Sequence, residues 1–268
     1  MDLPLPDLGA DYEARKLEER RRLLRAGLIS TGFVALLWWI ALLQHSFDWP
    51  LRGLTLRPGE WLGSVGILTA PLLHGSIAHL VSNTLPLLIL GTLSLASLPR
   101  AAPRALLLIW LLSGLGTWLI GRPSAHLGAS GLGHGLMLFL FVAGMIRRDR
   151  PAIATAMLVF FLYGGMLLTV LPREAGVSWE YHLCGAIAGL AAALLWARLD
   201  PPPPRKRYSW EDEAEQDEPA GDSELELPSP REVPVLWRRE EDDSAGADEE
   251  KVIRFPLERR PSRTEKPH

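Results

Sequence analysis

Residues His126 to Ile146 read H-L-G-A-S-G-L-G-H-G-L-M-L-F-L-F-V-A-G-M-I. The stretch opens as a polar, glycine-rich turn and runs on into an apolar segment long enough to cross much of a bilayer, so Ser130 stands where a loop becomes a membrane helix. Gly128 and Gly131 bracket it, and neighbours without side chains let a second helix or a peptide backbone come close to its hydroxyl. Small residues also serve plain helix packing in membranes, so the weight of this motif rests on the remainder of the chain.

That remainder has two unlike parts hidden under an ordinary average of 48% hydrophobic and 22% charged residues and a net charge of -3. Up to about Asp200 the chain alternates long uncharged runs with short basic turns; beyond it, 19 acidic residues face 12 basic ones. Four prolines at 201–204 form a stiff spacer, and the rest of residues 200–268 is rich in Glu, Asp, Pro and Ser with little to bury, so a disordered tail is expected. Two pieces of it, 233–239 (V-P-V-L-W-R-R) and 252–260 (V-I-R-F-P-L-E-R-R), pair apolar residues with arginines and are candidates to dock on a partner or on anionic lipid. No nucleic-acid partner is expected. The single cysteine, Cys184, excludes an internal disulfide and reads as a small buried apolar residue.

Working outward from Ser130, the uncharged runs divide into six spans. Residues 1–25, with six basic residues among interspersed acids, form a surface segment; the spanning domain covers 26–199. Helix 1 is expected from Ala26 to Leu43, helix 2 from Leu72 to Leu95, helix 3 from Ala105 to Gly121, helix 4 from the Ser130 turn to Ile146, helix 5 from Ala152 to Leu171 and helix 6 from Tyr181 to Ala197. Gln44 to Glu60 and the part before Pro71 read as an irregular interfacial loop. The fold class is thus an all-α polytopic membrane protein. Basic residues number fifteen in the segments before helix 1, between 2 and 3, between 4 and 5 and just after 6 (there Arg198, Arg205, Lys206 and Arg207), against four in the alternate loops. The positive-inside bias then puts both termini in the cytoplasm and the Ser130 turn near the opposite surface, with a bacterial cytoplasmic membrane as the expected location.

Ionisable groups inside spans are costly, so the histidines there are functional candidates. His74 and His79 fall at the start of helix 2, His134 in helix 4 and His182 at the start of helix 6, with Asn83 further along helix 2. A metal site is a poor fit: His74 and His79 are five apart, about 140° round a helix, and no cysteine or carboxylate pair completes a coordination sphere at that depth. His79 and Asn83, four apart, do share a face, as do Ser130 and His134. A serine hydroxyl becomes a nucleophile when a base takes its proton, and the resulting oxyanion needs donors. Ser130 as nucleophile, one of the histidines as base, and His79 with Asn83 as donors supply that set.

The G-A-S-G of helix 4, the H-x-x-x-x-H-x-x-x-N of His74, His79 and Asn83, and the H-x-x-G-x-x-x-G of His182, Gly185 and Gly189 resemble the rhomboid intramembrane serine proteases, over roughly Gly59 to Arg198. The resemblance implies a six-transmembrane-helix bundle, a Ser130–His182 dyad, and an oxyanion site made by the Ser130 amide, His79 and Asn83, with no cofactor. It further implies single-span membrane proteins as substrates, cleaved near the outer face after unwinding into the site beside helix 5. Gly185 and Gly189 would let helix 6 approach helix 4 closely enough to bring His182 to the serine. Two departures stand out. Where the family commonly has an aromatic stacked on the catalytic histidine, four residues after the serine, this chain has His134, expected to pack against the His182 ring; and Trp61 is followed by Leu62 rather than arginine. No acid is evident to orient His182. The alternative activity is a silent relative that binds transmembrane clients, which predicts loss of the serine or histidine. A transporter would carry polar residues on through the cytoplasmic half, where helices 2, 4 and 6 turn apolar.

Overall fold

The computed structural model of the chain describes residues 8–47, 53–172 and 176–202, the first five of these by backbone alone. Residues 48–52 of the first loop and residues 203–268, including the stretches 233–239 and 252–260, lie outside the described residues. Among the described residues there are six long helices: α1 (Leu8–Ser46), α2 (Ile77–Ser97), α3 (Ala101–Ile120), α4 (Ser130–Arg147), α5 (Arg150–Tyr163) and α6 (Trp179–Trp196). Five of them, α5 counted together with its 3-10 continuation Gly164–Val170, are long and apolar enough to cross a membrane. The sixth, α6, falls short on composition because its first turn is Trp-Glu-Tyr-His. Among the described residues extended pairing is limited to one antiparallel bridge, Leu56 with His126.

The helix boundaries depart from the sequence reading in three places. The basic segment before residue 25 and the first span are one unbroken helix, since no proline interrupts them and exposed pairs such as Lys16–Glu13 (3.8 Å) and Arg22–Glu18 (3.6 Å) suit a helix surface. Helix α2 starts at Ile77 and not at Leu72, because the Ser76 hydroxyl accepts the His79 N–H (3.1 Å) as an N-cap. His74 therefore sits in the loop ahead of α2. Residues 62–72, expected to be irregular, form successive helical turns. Gly63 and Gly66 let these turns lie directly on the backbone of residues 55–57, and the indole N–H groups of Trp110 and Trp118 donate to Leu68 O (3.2 Å) and Glu60 O (3.0 Å).

At residue 200, where the tail is expected to begin, the chain is still held to the helices. Asp200 is buried, and its carboxylate accepts the N–H groups of Arg100 (2.9 Å) and Ala101 (3.0 Å), satisfying free donors at the start of α3. Arg147 donates to Asp200 O (2.6 Å) and pairs with Asp149 (2.9 Å), whose carboxylate in turn caps α5 through Ala152 N (3.0 Å).

Helix α4 is the centre. Of its most apolar 18-residue window 61% is buried, against 11% for residues 150–170, so α5 and its continuation form the least enclosed wall. On one side α4 packs against α6 with backbone touching backbone: a Cβ on Gly185 would run into the carbonyl of Gly131, and one on Gly189 into the carbonyl of Gly135. Helix α1 leans on α2, with the Trp38 indole donating to Thr84 Oγ1 (3.0 Å).

This contact generates a stability prediction. Gly189→Val places carbon where a backbone carbonyl cannot move, which should cost ~3 kcal/mol or more, at or above the upper end of ordinary overpacking. Gly165→Ala faces open space and serves as control. The detergent-solubilised Gly189→Val protein should unfold well below wild type while Gly165→Ala does not, and equal midpoints would refute the backbone contact.

Candidate active site

Ser130 is the first residue of α4, one residue past a loop that only glycine can make. Gly128 has φ +111°, and a Cβ there would lie 2.7 Å from His79 Nε2. Its N–H donates to Ala70 O (2.9 Å), tying the loop to the helical turns before α2. As the opening residue of a helix, Ser130 belongs to the first turn, whose N–H groups have no intrahelical acceptor and whose dipole favours negative charge.

His182 comes to this serine from the first turn of α6. Its Nε2 lies 2.9 Å from Ser130 Oγ, and its Nδ1 lies 3.0 Å from Thr169 O. A carbonyl can only accept, so Nδ1 carries the proton and Nε2 presents a lone pair to the serine hydroxyl. The tautomer needed for a general base is thus set by a backbone oxygen from the 3-10 segment Gly164–Val170. No sequence signal marked Thr169 beyond its being a lone hydroxyl among G-G-M-L-L-T-V.

His134 stacks on His182 with ring centroids 4.0 Å apart and an interplanar angle of 13°. Its Nδ1–H donates to Ser130 O (2.7 Å), and its Nε2 lies 2.8 Å from Thr169 Oγ1, so the same threonine holds both rings. His134 is 3% exposed, against 8% for His182.

The remaining candidates line the other wall. The His79 ring lies against Gly128, two residues ahead of the serine. Asn83, one turn further along α2, is buried and donates one amide hydrogen to His79 O (3.0 Å), which leaves its second hydrogen for another acceptor. His74 meets His79 edge-on (5.3 Å, 65°). Gly131 receives the ring of Tyr181, while Gly185 and Gly189 set the approach of α6. Among the described residues no three His, Cys, Asp or Glu side chains are grouped to hold a metal ion.

The family model for the Rhomboid domain matches residues 60–199. The chain belongs to the rhomboid family. Similar proteins include uncharacterized proteins of Mycobacterium tuberculosis and Mycobacterium bovis, each 43% identical over 187 residues, covering 66% of this chain and 78% of the relative. One from Mycobacterium leprae is 41% identical over 210 residues, 73% of this chain and 80% of its own. As a rhomboid with several apolar helices, the chain is an integral, multi-pass membrane protein of a family of intramembrane serine proteases.

The stacking partner of His182 yields the next prediction. His134→Phe keeps a ring face on His182 and gives up the bonds to Ser130 O and Thr169 Oγ1, each worth about 1 kcal/mol. The purified rhomboid variant should unfold at a lower temperature yet retain a large part of wild-type cleavage of a transmembrane substrate. A folded His134→Phe protein that is inactive while folded His182→Ala remains active would reverse the roles of the two histidines.

Proposed function

We propose that this rhomboid is an active intramembrane serine endopeptidase that cleaves single-span membrane proteins near the outer face of the membrane. The observation that carries the reading is the 2.9 Å contact of His182 Nε2 with Ser130 Oγ while Nδ1 is occupied by Thr169 O. A silent client binder has no need of a base with its lone pair turned to a serine.

In the proposed reaction Ser130 Oγ attacks the carbonyl carbon of the scissile peptide as its proton passes to His182 Nε2. The tetrahedral oxyanion is met by the Ser130 amide at the N-terminus of α4 and by donors from His79 and Asn83. The imidazolium gives its proton to the leaving amine, the C–N bond breaks, and an ester on Ser130 remains. Water entering from the outer surface loses a proton to His182, attacks the ester and restores the serine. His134 supports the base from behind, and the sparsely enclosed wall of residues 150–170 is the entry for a substrate helix.

The charge distribution supports cytoplasmic termini and an outward-facing Ser130, with the membrane domain over residues 26–199 extended to Asp200 by its cap on α3. Partners are transmembrane substrates and the bilayer, and the dyad mechanism requires no cofactor.

Reconstitution of the full chain in lipid vesicles with a fluorescent serine-directed fluorophosphonate tests this. Wild type should be labelled at Ser130, Ser130→Ala should not, and His182→Ala should lose both labelling and cleavage. His79→Ala and Asn83→Ala should lower turnover by about 10²-fold each, the usual cost of one well-aligned oxyanion donor, with the fold intact. Equal labelling of wild type and Ser130→Ala would remove the protease reading.

A further inference from the structure

The loop that delivers Ser130 and the helix that delivers His182 are joined by a second set of contacts, on side chains that take no part in the proposed chemistry. Glu180, two residues ahead of His182, is 1% exposed. Its Oε1 accepts from Arg122 Nε (2.6 Å) and from the Arg122 backbone N–H (3.3 Å), and its Oε2 accepts from Arg122 Nη2 (3.3 Å). The same Nη2 donates to Val177 O (2.7 Å), just ahead of α6.

Four residues along the loop, His126 makes the companion tie. It is buried, its Nδ1 is hydrogen-bonded to the Ser178 hydroxyl, and its backbone pairs with Leu56 in both directions (3.0 and 2.8 Å). Arg122 and His126 thus fasten the start of α6 on one side of the loop, and Gly128 with Ser130 follows at once.

From this geometry we infer that Arg122 and Glu180 are positioning residues: their ion pair, buried on the Glu180 side, sets the separation of Ser130 from His182 by locking the 122–127 loop to the first turn of α6. Neither touches the reacting atoms. The glycine contacts of Gly185 with Gly131 and Gly189 with Gly135 lie on the inward side of the dyad, and the Arg122–Glu180 pair lies on its loop side. The serine–histidine distance is therefore held from both ends. Breaking one end leaves α6 packed but lets its first turn and the loop part. Misplacement of a catalytic group by about 1 Å is enough to lower turnover roughly 10²-fold, so a loss of this order needs no unfolding.

The inference rests on the protease reading above, and its test separates the two. The full chain is reconstituted in vesicles with a single-span substrate, and kcat and KM are measured alongside the rate of fluorophosphonate labelling and the thermal unfolding midpoint. If wild type neither labels nor cleaves, the protease reading itself has failed. With wild type active, Glu180→Gln and Arg122→Gln should each lower kcat about tenfold or more, with KM within about twofold and labelling slowed in step. The Arg122→Gln, Glu180→Gln double variant should be no slower than the slower single, because one interaction is lost in each, and Arg122→Lys should recover part of the activity of Arg122→Gln. Ser178→Ala, which removes the companion tie with one hydroxyl, should show the same kcat-only loss should either charged variant fail to fold. Wild-type kcat in the folded single variants, a loss confined to KM, or losses that multiply in the double variant would each overturn the assignment.

Discussion

Everything in this membrane domain depends on two helices lying closer than side chains ordinarily allow. Gly131 and Gly135 on α4 face Gly185 and Gly189 on α6, and a single methyl at Gly185 or Gly189 would meet a carbonyl oxygen. In lipid there is no hydrophobic gain from pressing two apolar helices together, so close backbone packing must supply the attraction. That packing also sets the geometry of the candidate site. Ser130 and His182 sit at the open ends of the two helices, and the backbone contact below them limits how far apart they can swing.

Close packing brings the dyad together without orienting it, and orientation comes from a different part of the chain. The 3-10 segment after α5 turns Thr169 so that its carbonyl takes the His182 Nδ1 proton and its hydroxyl meets His134 Nε2. Thr169 lies in the last turn of this stretch, where carbonyls have no N–H partner within the helix, which frees one to serve an imidazole. The same stretch belongs to the least enclosed wall of the bundle, so the group that sets the tautomer stands beside the proposed substrate entrance. In the proposed reaction substrate entry and base orientation would meet at one residue, Thr169.

The sequence made the bundle and most of the site legible for reasons that can be named. Uncharged runs near the length of a bilayer announce spans, and rare polar residues inside them announce a site, because each is too costly to leave there idle. This singled out Ser130, His182, His134, His79, Asn83 and His74, which the fold gathers around one loop. What stayed hidden was backbone-borne. Thr169 acts partly through its carbonyl, which every residue has; the helical turns at 62–72 form because Gly63 and Gly66 rest on a neighbouring backbone; and α2 starts late because Ser76 caps it. Asp200 and Glu180 carry no local sign of their roles, since their partners lie about a hundred and about sixty residues away.

The placement of charge follows from the same economics of burial. A carboxylate behind His182 would orient it as a third catalytic member does in soluble serine proteases, but a charged acid inside the bundle would carry a desolvation cost that an ion pair rarely recovers in full. A peptide carbonyl gives the same direction to Nδ1 while bringing no net charge, and it is already present. The acid nearest the dyad in sequence, Glu180, is buried, yet its Arg122 partner keeps about half its side chain in contact with solvent, 47% exposed. The pair thus stands at the rim, where arginine can remain hydrated and still satisfy both carboxylate oxygens and a carbonyl with its fork of donors. Charge at the rim ties the loop to the helix, and the neutral polar groups within are the ones that would carry the proton in the proposed reaction. This division lets a proton-transfer site exist between helices whose other sides are built for lipid.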